Sequence, residues 1–224
     1  MADTKIRDEA LRDASLSYGA RAGLAKRTWD IRTTLKTREA YMDKIYDFKR
    51  LLIPASSGLL IEPPIISEGS NATLIEQGGQ LAAVADRIFN ISRNARIVSS
   101  PRNWRAYLER EWGEVKLPPA VLLPKNDHER AVWAKNMAVG WAEGTDQADE
   151  IFQADLNKLA ADYTGMIRYR KLLAQGIVSA PYALQIDRGV TGGGSEMRVG
   201  DRALQITGPS QLRTEAFEWQ AVPR

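Results

Sequence analysis

Two long stretches with the apolar spacing of amphipathic helices limit what this chain can fold into. In residues 8–52, apolar side chains recur at intervals of three, four and seven, which places them on one helix face. Residues 127–175 carry a second such stripe, with Asn126 placed to cap its start and Gly176 placed to end it. An average globular helix has about 12 residues, so the sequence predicts a body built around two unusually long helices.

Each long stretch contains two glycines spaced four residues apart, Gly19 with Gly23 and Gly140 with Gly144. A glycine inside a helix costs about 1 kcal/mol relative to alanine, so another interaction should offset that cost. Our hypothesis is that the two helices pass close together at these glycines. The first helix is predicted either to be one rod or to bend near Gly19 and Gly23, and to stop before Pro54.

Shorter elements are predicted between the long helices. Apolar spacing in residues 80–97 predicts a helix, and Ser100-Pro101 is a start signal for another helix over residues 101–112. Ile65-Ile66 suits a short edge strand, and the glycines that follow, up to Gly79, predict irregular structure.

The last part of the chain changes from helical to alternating periodicity. Tyr182, Leu184 and Ile186 alternate with polar residues, and residues 197–206 are typical of a hairpin that turns at Gly200-Asp201. The fold class predicted is α+β, predominantly α, with a long-helix body and a small C-terminal β-hairpin region. We expect a helical body over residues 1–180 and a β-rich tail over residues 181–224, packed on the body or extending from it.

Composition excludes several kinds of chemistry. The chain of 224 residues has no cysteine and one histidine, His128, which removes disulfides, thiolate metal sites and cysteine nucleophiles. Lysine and arginine number 31 against 28 acidic residues, an excess too small to mark a nucleic-acid-binding protein. No apolar run is long enough to span a membrane, and the N-terminus does not resemble a signal peptide.

Three candidate catalytic or binding sites have more ordinary interpretations. His128 lies in the first turn of a predicted helix, where Asp127 cannot supply the geometry of a catalytic triad. Asp146, Asp149 and Glu150 share a helix face and could hold a cation or act as acid and base, but a solvated face is the commoner outcome. Residues 192–194 are all glycine and lack the Gly-Lys-Ser/Thr ending of a phosphate-binding loop.

Basic and aromatic residues favour contacts rather than catalysis. Arg168, Arg170 and Lys171 lie beside tyrosines, which suits a helix end or a protein contact better than nucleic acid. The six tryptophans are typical of a core or of interface anchors; Trp104 and Trp112 share one predicted helix face, and Trp133 and Trp141 share another. We therefore predict no catalytic residue, no cofactor and no metal.

Several strings in the sequence are more specific than these patterns. They are Ser-Tyr-Gly-Ala-Arg-Ala-Gly-Leu-Ala at residues 17–25, Leu-Leu-Pro-Lys-Asn at 122–126, Gly-Trp at 140–141, Tyr-Thr-Gly-Met-Ile-Arg-Tyr-Arg-Lys-Leu-Leu-Ala at 163–174 and Gly-Val-Thr-Gly at 189–192. Through these strings the chain resembles the DotC family, and the resemblance runs from about Leu11 to Ile206, nearly the whole chain.

The resemblance implies a structural role in a type IVB (Dot/Icm-like) secretion or conjugation system. Members of the DotC family are lipoproteins on the periplasmic side of the outer membrane, where they join DotD-like and DotH-like subunits in a core complex. They have no catalytic residues to transfer to this chain, and direct contact with nucleic acid is not expected. This sequence lacks the family's lipoprotein signal and lipidated cysteine, so we expect it to be a mature, trimmed domain whose link to the membrane would be a lipid anchor.

We expect partner contacts in the β-rich tail and among exposed aromatic residues. Two other classes stay open at this point: a periplasmic binding or cell-wall-modifying domain with a site in a helix cleft, and a cytoplasmic helical adaptor. The residues predicted to contact neighbouring subunits are Tyr182, Val190, Gly192, Gly193, Met197 and Trp219.

Overall fold

The computed structural model describes residues 2–55, 59–76 and 81–219, and confirms an α+β fold that is mainly helical with a C-terminal strand pair. These residues contain four α-helices, seven strands and three short 3-10 turns. The helices are α1 (Ala2–Thr37), α2 (Glu39–Ile45), α3 (Arg105–Leu108) and α4 (Asp127–Ala174), and the 3-10 turns are Phe48–Leu51, Ala120–Leu122 and Ala216–Glu218. The strands are β1 (Ile53–Pro54), β2 (Leu60–Glu62), β3 (Ile65–Glu76), β4 (Leu81–Arg93), β5 (Arg96–Val98), β6 (Tyr182–Gly193) and β7 (Glu196–Gly208).

The chain forms two compact units. The first unit contains Met1–Ile45 and Trp104–Leu159, and the second contains Tyr46–Asn103 and Ala160–Arg224. All strands belong to the second unit, in three antiparallel sheets: β1-β2-β5, the β3–β4 hairpin and the β6–β7 hairpin. Helix α4 supplies residues to both units.

In the first unit, α1 and α4 lie side by side in parallel orientation. Arg7 pairs with Glu129 (3.2 Å) near the start of both helices, and Arg27 pairs with Asp149 (2.8 Å) farther along both. Between these ion pairs the backbones are in direct contact, as the glycine hypothesis predicted. A Cβ added at the glycines would lie 2.4 Å from Met137 O (at Gly19), 2.4 Å from Trp141 O (Gly23), 2.1 Å from Leu16 O (Gly140) and 2.0 Å from Ala20 O (Gly144).

The predicted long helix over residues 8–52 is wrong in its extent. Helix α1 continues without a break past Gly19 and Gly23 and ends at Thr37, and α2 follows after a turn at Arg38. Three threonines precede the break, and the hydroxyl of each donates to a carbonyl one turn earlier, such as Thr37 Oγ1 to Thr34 O (2.7 Å). Threonine has low helix propensity and these bonds bend helices, so the helix ends here rather than at the glycines.

Residues 80–97 do not form the predicted helix. Residues 81–93 form strand β4, which pairs with β3 over its whole length from Glu76↔Leu81 to Ile65↔Arg93. Strand β3 continues through residues 69–71, which were expected to be irregular, while Gly78 and Gly79 lie outside the described residues. The apolar spacing of β4 suits a helix, but its valine, isoleucine and phenylalanine content favours a strand once a partner strand is present.

The helix predicted over residues 101–112 is reduced to the single turn α3, and Ser100-Pro101 does not start it. Side chains near the start of α3 bind residues that are distant in sequence, and these contacts favour extended backbone before α3 over a longer helix. In the first unit, Trp104 Nε1 donates to Asp43 Oδ1 (2.7 Å). In the second unit, the guanidinium of Arg102 binds Glu62 and Asp162.

Helix α4 has the ends that its sequence predicts. The backbone N–H of Glu129 donates to Asn126 Oδ1 (2.9 Å), and the Glu129 carboxylate accepts from the backbone N–H of Lys125 (2.8 Å). At the other end, the N–H groups of Gly176 and Ile177 donate back to the carbonyls of the last turn, to Leu173 O and Leu172 O. These are the two hydrogen bonds of a Schellman cap.

The second unit is held by an apolar cluster beside a buried ionic network. Ile66, Tyr169, Leu172 and Val178 are almost fully buried and form the cluster, and each such side chain contributes about 1.5–3 kcal/mol by leaving water. In the network, Glu62 is 2% exposed and accepts from both Arg96 (3.0 Å) and Arg102, while Arg102 also reaches Asp162 (2.7 Å).

Burial alone would raise the pKa of Glu62, but the hydrogen bonds from Arg102 and Arg96 outweigh it and leave that pKa below its ordinary value. A carboxylate with a lowered pKa stabilises the fold above its unfolded-state pKa. That contribution is lost as the pH falls through the folded-state value.

We predict that Gly144→Ala lowers the free energy of unfolding by about 1–3 kcal/mol, because its Cβ would collide with the backbone of α1. Helix propensity alone predicts the opposite sign, a gain of about 1 kcal/mol. Urea denaturation measures the change, with Glu143→Ala on the exposed side of α4 as the matched control. Stability equal to or above that of the wild type would contradict the backbone contact.

We predict that Arg102→Met lowers the free energy of unfolding by about 3–5 kcal/mol, because Glu62 keeps a buried charge without its main partner. The control is Lys26→Met, which removes an exposed helix pair with Asp30 and should cost under about 1 kcal/mol. Thermal and urea unfolding of the two variants give the comparison. Equal losses would show that the Glu62 network behaves as a surface ion pair.

Candidate partner interface

The β6–β7 hairpin places four of the predicted interface residues close together. Its strands are joined through Gly194-Ser195, because Gly193 pairs with Glu196, so the predicted turn at Gly200-Asp201 is wrong. Gly200 instead lies inside β7, unpaired, with φ of 72°, where the strand register shifts. The glycine there accommodates a bulge rather than a reversal of the chain.

One face of the outer half of this hairpin is an exposed apolar patch. Val190 pairs with Val199, and the next position on the same face pairs Gly192 with Met197. Val190, Met197 and Val199 are 62%, 72% and 74% exposed. We call these three side chains the hairpin patch. Val199 was missed from the sequence, because it lies opposite Val190 only when the turn is placed at residues 194–195.

Gly192 supports the patch through the backbone rather than through contacts of its own. Its φ is 141°, and an added Cβ would lie 2.1 Å from Glu196 O across the hairpin. Gly193 forms the last strand pair before the turn, and an added Cβ there would meet no atom within 4 Å. Gly192 is therefore required for the shape of the hairpin, whatever binds to it.

The other two predicted interface residues lie away from the patch. Tyr182 pairs with Gly208 at the opposite end of the hairpin and is 67% exposed. Trp219 follows the last 3-10 turn, is 45% exposed, and donates from Nε1 to Arg213 O (3.0 Å). Neither is brought to the hairpin patch by the strand pairing, and their role in partner contacts stays a prediction.

Within the described residues the sheet of the hairpin contains β6 and β7 alone, so neither outer edge is hydrogen-bonded to a third strand, although β5 lies close to β7. Its charged residues balance, with three acidic and three basic side chains between residues 187 and 202. Several of them are satisfied within the hairpin: Thr191 Oγ1 donates to Asp201 (2.7 Å), and Arg198 pairs with Glu196 (2.7 Å). Recognition here would rest on backbone hydrogen bonds and apolar contact rather than on net charge.

Of the carboxylates and the basic run considered in the sequence, Asp149, Arg168 and Arg170 make structural contacts. Asp149 binds Arg27 on α1, and no cluster of metal-ligating side chains occurs in the described part of the chain. Arg168 binds Glu68 (2.9 Å) and Ile66 O (2.6 Å), and Arg170 donates to Arg50 O. These two arginines fix α4 to the strands and turns of the second unit.

The tryptophans divide between core and surface. Trp104 is 1% exposed, whereas Trp112 and Trp141 are 43% and 39% exposed, and Trp133 is half-buried. Trp29 on α1 is the most exposed of the described tryptophans at 59%.

An apolar cleft of about 370 Å³ lies in the first unit and bears on the alternative of a helix-cleft site. Its polar lining consists of Arg27, Thr34 and Arg38, and no carboxylate or histidine lines it among the described residues. This composition suits an apolar group better than acid–base chemistry. The remaining lining residues are Ile31, Leu35, Met42, Leu108, Phe152 and Leu156.

His128 pairs with Asp8 of α1 through Nε2 (3.0 Å) and is exposed. The hydrogen bond and the charge of Asp8 raise the pKa of His128 above its ordinary value. Its ion pair therefore stabilises the contact of α1 with α4 fully below about pH 6.5, and this contribution is lost as the pH rises through the raised folded-state pKa.

A comparison with family models finds a match over residues 5–221 to T4SS_TraI, described as "Type IV secretory system, conjugal DNA-protein transfer". No curated protein matches the chain. None of the helices in the described ranges is both long and apolar enough to cross a membrane.

We predict that Asp8→Asn lowers the pKa of His128 toward the ordinary value of about 6.5. Because the chain has one histidine, its imidazole proton resonances identify it directly in an NMR pH titration. The control is Asp13→Asn, because Asp13 lies on the same helix and is not among the groups that raise the pKa of His128. An unchanged His128 pKa in Asp8→Asn would contradict the ion pair.

Proposed function

Because the chain belongs to the T4SS_TraI family of type IV secretory systems, and is thus a component of a conjugal transfer system, we propose that it is a DotC-type structural subunit. In this proposal it sits on the periplasmic side of the outer membrane and binds DotD-like and DotH-like subunits of a core complex. It holds neighbouring subunits and catalyses no reaction. The DotC-like strings in the sequence support the finer assignment.

The β6–β7 hairpin is the observation that carries the proposed role in binding. A two-stranded hairpin is only marginally stable alone in water, and an exposed strand edge readily accepts another strand. This hairpin combines strand edges that are not hydrogen-bonded to a third strand in the described residues with an apolar patch whose side chains are 62–74% exposed. A partner strand would satisfy the backbone and cover the patch in one contact.

We predict that Val199→Asp abolishes co-purification with the partner subunits, because a carboxylate would be buried in the contact without a counter-charge. The tagged natural gene product is co-expressed with the DotD-like and DotH-like subunits of its own transfer system, extracted from membranes and affinity-purified. Val84→Asp is the matched control, since Val84 is 70% exposed on strand β4 of the other hairpin.

The outcomes separate the two parts of the proposal. If the wild type captures neither subunit, the assignment to the core complex is wrong. If the wild type and Val199→Asp capture them equally, the assignment stands and the hairpin patch is not the contact. Circular dichroism of both variants verifies that each is folded.

A further inference from the structure

A second surface lies in the first unit, where two exposed tryptophans flank a cleft of about 340 Å³. Helix α1 supplies Thr28, Trp29 and Arg32 to it, and the segment after α3 supplies Arg110, Glu111 and Trp112. Trp29 and Trp112 are 59% and 43% exposed. Tryptophan is enriched at binding surfaces, so two exposed indoles beside one cleft point to a ligand.

The two walls of this tryptophan cleft are fixed to each other and to α4. Glu111 pairs with Arg32 of α1 (2.7 Å), and Arg110 pairs with Asp155 of α4 (2.8 Å). The segment that carries Trp112 forms no helix or strand. Through Glu111 it binds α1, and through Arg110 it binds α4. These pairs lie at the surface, so each contributes little to stability, but together they connect the segment to both helices.

The lining excludes two common kinds of ligand. Every cation at the cleft already has a carboxylate partner: Arg32 has Glu111, Arg110 has Asp155, and Lys26, which lies over the Trp29 ring, has Asp30. An anionic ligand would find no excess positive charge. Among the described lining residues, Ala25 is the one aliphatic side chain, so a leucine-like anchor of a protein partner would bury charged groups without pairing them.

The same lining suits a neutral ligand that has both apolar faces and many hydroxyls. An indole offers a flat apolar face to the C–H side of a sugar ring, and a cleft with two indoles can hold successive rings. The Glu111 carboxylate accepts hydrogen bonds and the Arg32 guanidinium beside it donates them. Neighbouring hydroxyl groups can bind to both, because each hydroxyl donates and accepts. Arg32 Nε, in addition, is buried without an acceptor among the described residues.

We propose that the tryptophan cleft binds a neutral oligosaccharide, with Trp29 and Trp112 stacking on sugar rings and the Arg32–Glu111 pair hydrogen-bonding to hydroxyls. The site lies in the first unit and the hairpin patch in the second, so this inference does not depend on the proposed partner contact. A cell-wall glycan and a storage-type glucan share this chemistry, and the experiment separates them.

The test is isothermal titration calorimetry of the full chain with two neutral probes, tetra-N-acetylchitotetraose and maltotetraose. Binding of the first identifies a cell-wall type of glycan, and binding of the second a glucose polymer. We expect Trp29→Ala and Trp112→Ala each to weaken binding about tenfold, the loss of one stacking contact. The matched control is Trp219→Ala, an exposed tryptophan of the second unit, which should bind as the wild type does.

Two results would overturn the proposal. One is the absence of heat change with both probes at millimolar concentration. The other is equal weakening by Trp219→Ala, which would indicate nonspecific stacking on exposed indoles. Unfolding midpoints of the three variants exclude misfolding as the cause, and Glu111→Gln, which keeps both tryptophans, should weaken binding less than either alanine variant.

Discussion

Backbone contact between α1 and α4 is the interaction on which the first unit depends. Four glycines on two helices place each Cα against a carbonyl of the other helix, leaving no space for any side chain. The contact also fixes the helices in parallel, and parallel helices cannot be joined by a short loop. Residues 38–126 make the return, and strands β1 to β5 and α3 all come from that connection. The α+β character of the chain thus follows partly from the direction in which two helices pack.

The second unit depends on a buried network of ion pairs. Glu62 at the end of β2, Arg102 before α3 and Asp162 on α4 form one hydrogen-bonded group. Replacing such a group by apolar side chains can leave stability unchanged, whereas removing one member is costly. The network therefore specifies how β2, this segment and α4 fit together, while the apolar cluster around Tyr169 supplies the burial. Surface pairs such as that of Lys26 with Asp30 have no comparable role.

The parts predicted from sequence are those with local causes. Helix α4 and its Asn126 and Gly176 caps follow from spacing within one stretch of chain. The glycine contact joins two distant stretches, but each of them carries its own glycine pair as a local signal. Strand β4 was missed because a strand is stabilised by a partner distant in sequence, and its apolar residues fit either periodicity. For the same reason the C-terminal turn was predicted at the wrong glycine, and Val199 was not recognised as part of the hairpin patch. The tryptophan cleft was beyond prediction, since its two walls come from residues 25–32 and 110–112.

The proposed binding surfaces differ in what should control them. In the β6–β7 hairpin, acidic and basic residues cancel, so a partner strand would be held by backbone hydrogen bonds and apolar contact that salt screens little. In the tryptophan cleft every cation is already paired, so a neutral ligand would displace water without breaking an ion pair. A component that relied on long-range attraction would show an unbalanced field at its contacts. Both proposed surfaces would instead recognise a ligand by its shape at short range, as the proposed structural subunit would require.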